Sequence, residues 1–105
     1  MLRGEIWWAD VPGGPHPVVL VSRDGSYLLR RKATVALVTS RIRGIPVEVV
    51  LDEHNGLLHR SVANVDELYT IRLSNLLERV GALDADQLGE LDEALQFALA
   101  LPAMR

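Results

Sequence analysis

The stretch LLERVGALDADQLGELDEALQFALALP, residues 76–102, is where the chain changes its period. Beyond Asp84, Leu88, Leu91, Leu95 and Leu99 recur with Ala94 and Ala98 at the spacing of a single helical face. The start of that helix is marked twice. Asp84 is a good N-cap with Gln87 three residues on, close to a capping box, and Leu83 and Leu88 stand where a hydrophobic staple would hold the entering chain. Pro102 ends the pattern.

Everything before this point reads differently. EIWWA (5–9), PVVLVS (17–22), ATVALVT (33–39) and IPVEVVL (45–51) are short, rich in β-branched or aromatic residues, and separated by turn-forming segments. Pro46 is expected at the start of its strand, where a missing N–H does no harm. SVANV (61–65), LYTI (68–71) and LLERVGAL (76–83) read as further strand pieces, and RDGSYLLRRK as a short helical turn. The ADVPGGPH segment joins the first two strands as a hairpin with a mobile loop, and Asn55-Gly56 signals another turn. Five or more short strands followed by one helix predict a mostly β chain, a small antiparallel barrel with an amphipathic helix packed on it.

With 105 residues and 49% apolar side chains, one domain over residues 1–105 with a modest core is expected. There is no cysteine, which excludes a disulfide framework or a thiolate metal site and fits a reducing compartment. The three histidines, His16, His54 and His59, lack the close spacing of a metal site, and no metal or other cofactor is expected. Glu5 and Asp10 interrupt the region where a signal peptide needs an apolar run, and no stretch approaches the roughly 18 residues of a membrane span. A cytoplasmic protein without membrane contact is the expectation.

Net charge is −3, but its distribution is uneven. Arg23, Arg30, Arg31, Lys32, Arg41 and Arg43 face only Asp24 in their stretch, whereas Asp84, Asp86, Glu90, Asp92 and Glu93 run unopposed. A basic and an acidic surface are one reading, two ordinary solvated faces the other. No nucleophile elbow, P-loop or zinc-protease motif is present. The informative cluster is Thr39-Ser40-Arg41-Ile42-Arg43, a strand that ends in hydroxyl and guanidinium donors suited to phosphate oxygens. Trp7 and Trp8 are adjacent, so in a strand one faces the core and the other is free to stack on a base or seal an interface. His54 and His59, flanking Asn55-Gly56, read as solvated loop residues.

Taken in order, these pieces resemble the MazF/PemK toxin family along nearly the whole chain. Arg3-Gly4-Glu5-Ile6-Trp7 with Ala9-Asp10 resembles its opening strand, and Pro17-Val18-Val19-Leu20-Val21-Ser22 its second. Val38-Thr39-Ser40, Pro46-Val47-Glu48-Val49, and Gly56-Leu57 followed by Ser61-Val62-Ala63 and Asp66 resemble the segments that follow. Glu90 to Leu95 with Leu99 to Leu101 resembles the closing helix. Six weak matches in the right order and spacing make a specific one.

The resemblance implies an SH3-like or CcdB-like barrel, a homodimer, and metal-free, sequence-specific cleavage of single-stranded RNA. In that chemistry the 2′-hydroxyl attacks phosphorus, leaving a 2′,3′-cyclic phosphate and a 5′-hydroxyl. It also implies a cognate antitoxin with an acidic, partly disordered tail, through which alone DNA would be contacted. The family's threonine carries over as Thr39. Its arginine before the proline of the second strand does not, because that position is His16, and the first loop is cut down to Val11-Pro12-Gly13-Gly14-Pro15. His16 either takes over proton transfer, as an imidazole suits neutral pH, or is passive while Arg41, Arg43 or Arg23 supplies the charge, or marks a weakened nuclease. Thr39 and His16 are thus the catalytic candidates, and Arg41, Arg23, Ser40 and Arg43 the phosphate-side ones. Two rival classes use the same barrel: a CcdB-like topoisomerase inhibitor, disfavoured by the absence of Trp from Leu101-Pro102-Ala103-Met104-Arg105, and a silent decoy for antitoxins.

Overall fold

In the computed structural model, which describes residues 2–102, six strands form one antiparallel sheet. They are β1 (Glu5–Val11), β2 (Gly14–Leu20), β3 (Lys32–Thr39), β4 (Glu48–Leu51), β5 (Ser61–Arg72) and β6 (Leu76–Ala82), in the spatial order β4-β5-β3-β2-β1-β6. A short helix α1 (Ser26–Arg30) joins β2 to β3, and α2 (Ala85–Ala98) closes the chain. The expected mostly β fold with one C-terminal helix is what forms, as a curled half-barrel whose edge strands are β4 and β6. Residues 103–105, part of the tail weighed against the inhibitor reading, lie outside the described residues. Among the described residues no helix is long and apolar enough to cross a membrane.

The curl follows from strands that are apolar on both sides. On β2, Val19 joins one core cluster while its neighbours Val18 and Leu20 join another. The first cluster sets Ile6, Val19, Ala36, Val49, Leu51 and Ala63 against Leu91 and Ala94 of α2. The second holds Ala9, Val11, Val18, Leu20, Val35 and Ile71 on the opposite face, with Tyr27 of α1 packed in. Fully burying a side chain such as Leu91 contributes roughly 2 kcal/mol, so each cluster is a substantial share of a small domain's stability.

Helix α2 starts as expected: Asp84 accepts the Gln87 N–H at 2.8 Å while the Gln87 side chain accepts the Asp84 N–H at 3.0 Å. It ends before Pro102 in a Schellman arrangement, with Leu101 N–H donating to Gln96 O, Ala100 N–H donating to Phe97 O, and Ala100 at φ 55°.

Three details differ from expectation. The two strand pieces expected at 61–65 and 68–71 are one strand, β5. Its ladder with β3 runs from Lys32↔Arg72 to Ala36↔Leu68 and then steps to Leu37↔Asn64, so Val65–Glu67 form a bulge. The exposed acids Asp66 and Glu67, which look like a strand break in sequence, are the bulge. β4 begins at Glu48 rather than at residue 45. Finally, the first hairpin has no long loop: Val11 pairs with Gly14, leaving only Pro12 and Gly13 to turn the chain. Pro at the first turning position and Gly13 at φ +93° at the second are the residues of a tight type II turn.

Candidate active site

The candidate site begins with two prolines. β2 keeps its ladder to β1 from Val19 down to Gly14, but its ladder to β3 stops at Val18↔Leu37. Pro15 and Pro17 lack N–H groups, and residues two apart in a strand point their donors to the same side. Since the β1 side stays paired, the missing donors fall on the β3 side, and the sheet parts there. Continuing the register by two residues sets His16 abreast of Thr39 at the parting.

A cleft of about 500 Å³ opens at this place. Trp8 of β1, His16 and Pro17 of β2, and Val38, Thr39 and Ser40 at the end of β3 line it. Gly56–His59, Ser61 and Val80 complete the lining. Trp8 is 40% exposed, whereas Trp7 packs on the second core cluster, so the tandem tryptophans divide as strand alternation requires. Trp7 is held by an indole N–H bond of 3.0 Å to Glu5. Burial pushes the Glu5 carboxyl up, but the bonds from Trp7 and Arg79 outweigh it, and the group sits below its usual range.

Thr39 also lines a second, smaller cleft of about 210 Å³, together with Leu37, Arg41, Arg43, Asn64 and Glu67. It is therefore the ridge between an apolar cleft carrying His16 and Ser40 and a polar one carrying two guanidinium groups. Its hydroxyl oxygen accepts the Arg41 N–H at 3.2 Å, which leaves the hydroxyl proton free to donate elsewhere. The loop bearing the arginines is organised by Glu48, whose carboxylate accepts N–H bonds from Arg43 (3.1 Å), Gly44 (2.8 Å) and Ile45 (3.4 Å). His16 Nδ1 lies 3.1 Å from the Gly14 carbonyl oxygen. A carbonyl only accepts, so this bond places the proton on Nδ1 and leaves the Nε2 lone pair bare in the neutral ring.

Five of the six residues expected at the site are thus brought together around Thr39: His16, Thr39 and Ser40 on one side, Arg41 and Arg43 on the other. Arg23 is not among them. It lies beyond the far end of β2, next to Asp24, which accepts the Arg3 N–H at 2.6 Å. Six residues, Pro17 to Ser22, lie between it and His16, and at an extended rise that separation is on the order of 20 Å. The charge run that grouped it with Arg41 in sequence spans both ends of the sheet. In the other direction, His59 lines the cleft although its sequence context reads as solvated loop. The segment that carries it is fixed by the packing of Gly56 on Val80, a contact distant in sequence, and by the Ser61 hydroxyl on the His59 carbonyl.

Residues 2–99 match the family described as "PemK-like, MazF-like toxin of type II toxin-antitoxin system". Endoribonuclease MazF6 of Mycobacterium tuberculosis (strain H37Rv) is 36% identical over 110 residues, covering 94% of this chain and 96% of that protein. The solved structure of Mycobacterium tuberculosis toxin MazF-mt6 superposes with a TM-score of 0.89 at 32% identity, over 94% of this chain and 99% of that one. A MazE-MazF crystal structure (Form-II) from Deinococcus radiodurans gives a TM-score of 0.81 at 25% identity, with 97% of each chain covered.

Proposed function

Because the chain belongs to the PemK-like, MazF-like toxins of type II toxin–antitoxin systems, we propose that it is the toxin of such a pair, a sequence-specific endoribonuclease that inhibits translation by cutting single-stranded RNA. The observation that carries this reading is the meeting at Thr39 of the cleft that carries His16 and the cleft that carries Arg41 and Arg43, in a chain similar to proteins named endoribonucleases.

The chemistry proposed needs a base for the 2′-hydroxyl, donors for the charge that develops on the phosphoryl oxygens, and a proton for the leaving 5′-oxygen. His16 Nε2 supplies the lone pair for the first task. The imidazolium that results is stabilised by its Nδ1–H bond to the Gly14 carbonyl. Thr39, its oxygen occupied by the Arg41 N–H, turns its own proton to a phosphoryl oxygen, with Ser40 beside it. Arg41 and Arg43 hold the flanking phosphates as planar, permanently charged donors. Trp8, exposed at the rim, stacks on a base, an interaction of about 1–3 kcal/mol. Arg23 plays no part in this arrangement.

We further propose a homodimer in the cytoplasm, one toxin domain spanning residues 1–105, inhibited by a small antitoxin whose acidic segment covers the Arg41/Arg43 cleft. The similarity to a chain crystallised in a MazE-MazF complex supports the partner. Incubating the purified chain with a long single-stranded RNA in EDTA tests the activity. Discrete fragments bearing 5′-hydroxyls are expected, and a drop of about 10²-fold for His16→Ala and for Thr39→Val. Undiminished cleavage by His16→Ala with loss on Arg41→Ala would pass the leading role to the arginine. RNA left intact by the unaltered chain would overturn the ribonuclease reading in favour of a non-cleaving barrel.

A further inference from the structure

Cleavage by 2′-hydroxyl attack moves two protons, and His16 accounts for only one. Among the described residues lining the larger cleft, His16 and His59 are the only imidazoles. The remaining polar groups there are the hydroxyls of Thr39, Ser40 and Ser61 and the indole of Trp8. Among the described residues no carboxylate, lysine or arginine lines this cleft. Arg41, Arg43 and Glu67 lie across the Thr39 ridge, and Arg60 follows His59 in the chain.

His59 is presented from a segment anchored at both ends. Upstream, Gly56 packs so closely on the Val80 carbonyl that an added Cβ would lie 2.2 Å from its oxygen. Downstream, the His59 carbonyl accepts the hydroxyl of Ser61, a buried residue that opens β5, at 3.1 Å. The two histidines thus reach one cleft from different parts of the chain, His16 from β2 and His59 from the segment leading into β5. An in-line displacement, with the attacking and leaving oxygens on opposite sides of phosphorus, calls for two separate proton-transfer groups, and the cleft carries two imidazoles.

We propose that His59 is the general acid of the cleft, working with His16 as base; this rests on the ribonuclease reading above. His16 Nε2 takes the 2′-hydroxyl proton as the 2′-oxygen bonds to phosphorus. The P–O5′ bond breaks, and the His59 imidazolium gives its proton to the departing 5′-oxygen. The products are a 2′,3′-cyclic phosphate and a 5′-hydroxyl, with His16 left protonated and His59 neutral, and exchange with water restores both.

A sulfur substitution separates this role from a structural one. An RNA oligonucleotide containing a linkage that the unaltered chain cuts is prepared with oxygen or with sulfur at the bridging 5′ position, because a thiolate leaves without needing a proton. His59→Ala and His59→Gln, both checked for unchanged thermal unfolding, are expected to cut the oxygen substrate about 10²-fold more slowly. Their rate profiles should lose the alkaline decline that deprotonation of the acid imposes, while the sulfur substrate is cut within a few-fold of the unaltered rate. Equal loss on both substrates, or cleavage of the oxygen substrate at the unaltered rate, overturns the assignment while leaving the ribonuclease reading intact. If the unaltered chain cuts neither substrate nor long RNA, that reading falls and the assignment with it.

Discussion

The sheet is left open in two places, and the chain treats them in opposite ways. Between the edge strands β4 and β6 the gap is sealed by a buried pair of amides, Asn55 in the 3-10 turn Glu53–Asn55 and Gln87 in the first turn of α2. Asn55 donates to Gln87 Oε1 (2.7 Å) and to the Ala82 carbonyl (3.0 Å), and accepts from Gln87 Nε2 (3.0 Å) and the Asp52 N–H (3.0 Å). Gln87 in turn donates to the Val50 carbonyl and accepts the Asp84 N–H. Both amides use all their donors and acceptors, and they tie β4, β6 and α2 together. At the parting of β2 and β3 the prolines withhold donors, and groups such as the Thr39 hydroxyl proton and the His16 Nε2 lone pair are left with work to do elsewhere. A saturated polar cluster makes structure and an unsaturated one makes a site; the two differ in unspent hydrogen-bonding capacity rather than in polarity.

The largest predicted effect breaks the sealed gap. A Cβ on Gly81 would lie 1.8 Å from the Asn55 carbonyl oxygen, a clash with backbone that no side-chain rotation relieves. Gly81→Ala is expected to destabilise by about 3 kcal/mol or more, measured by urea unfolding. Gln87→Ala comes next: it removes the N3 arm of the helix cap and leaves Asn55 buried and half-satisfied, a loss of about 2–3 kcal/mol. In a double-mutant cycle with Asn55→Ala the second substitution should cost much less than it does alone.

At the other opening the expected change is smaller and of opposite sign. Pro17→Val returns an N–H on the β3 side, so the ladder should extend toward Thr39. Stability should rise by about 1 kcal/mol while RNA cleavage falls as the cleft narrows. A gain in both would sever the link drawn between the prolines and the cleft.

The smallest effect comes from His54, which bridges Asp52 at 2.5 Å and Asp84 at 3.1 Å on the outside of the sealed gap. Hydrogen bonds to Asp84 and Asp52 raise its pKa above the ordinary 6.5. Asp52 is lowered below 3.8 by its bonds from the His54 side chain and N–H, and Asp84 by those from the Gln87 N–H and the His54 ring. The histidine's contribution is full below about 6.5 and disappears as pH rises through its raised value. That of the aspartates is full above about 3.8 and disappears as pH falls through their lowered values. The stability difference between the unaltered chain and His54→Ala should therefore be largest at mildly acid pH and shrink as pH rises through the raised histidine value. All three groups are exposed, so thermal melts should register a modest shift.

What was legible in the sequence was local. Asp84, Gln87, Leu83 and Leu88 announce the helix because cap and staple lie within a few residues of each other. The strand cores are legible because β-branched residues cluster between turns. The second use of Gln87, as partner of an asparagine 32 residues away, has no local signature. The same is true of His59, placed by the packing of Gly56 on Val80. Arg23 errs the other way: adjacency in a charge run suggested adjacency in space, and an intervening strand carried it to the far end of the sheet. Thr39, Ser40, Arg41 and Arg43 lie together in space because they are consecutive or nearly so. His16 joined them through the family resemblance, since nothing in its own surroundings distinguishes it from a turn residue.

The tight turn at Pro12-Gly13 bears on kinetics as well as shape. A hairpin that turns on two residues has nothing to fold over the cleft, and no hairpin segment must swing aside before a strand arrives or after its fragments leave. Capture should therefore follow diffusional encounter, steered by Arg41 and Arg43 and slowed by added salt, without the slow phase that a closing flap would impose.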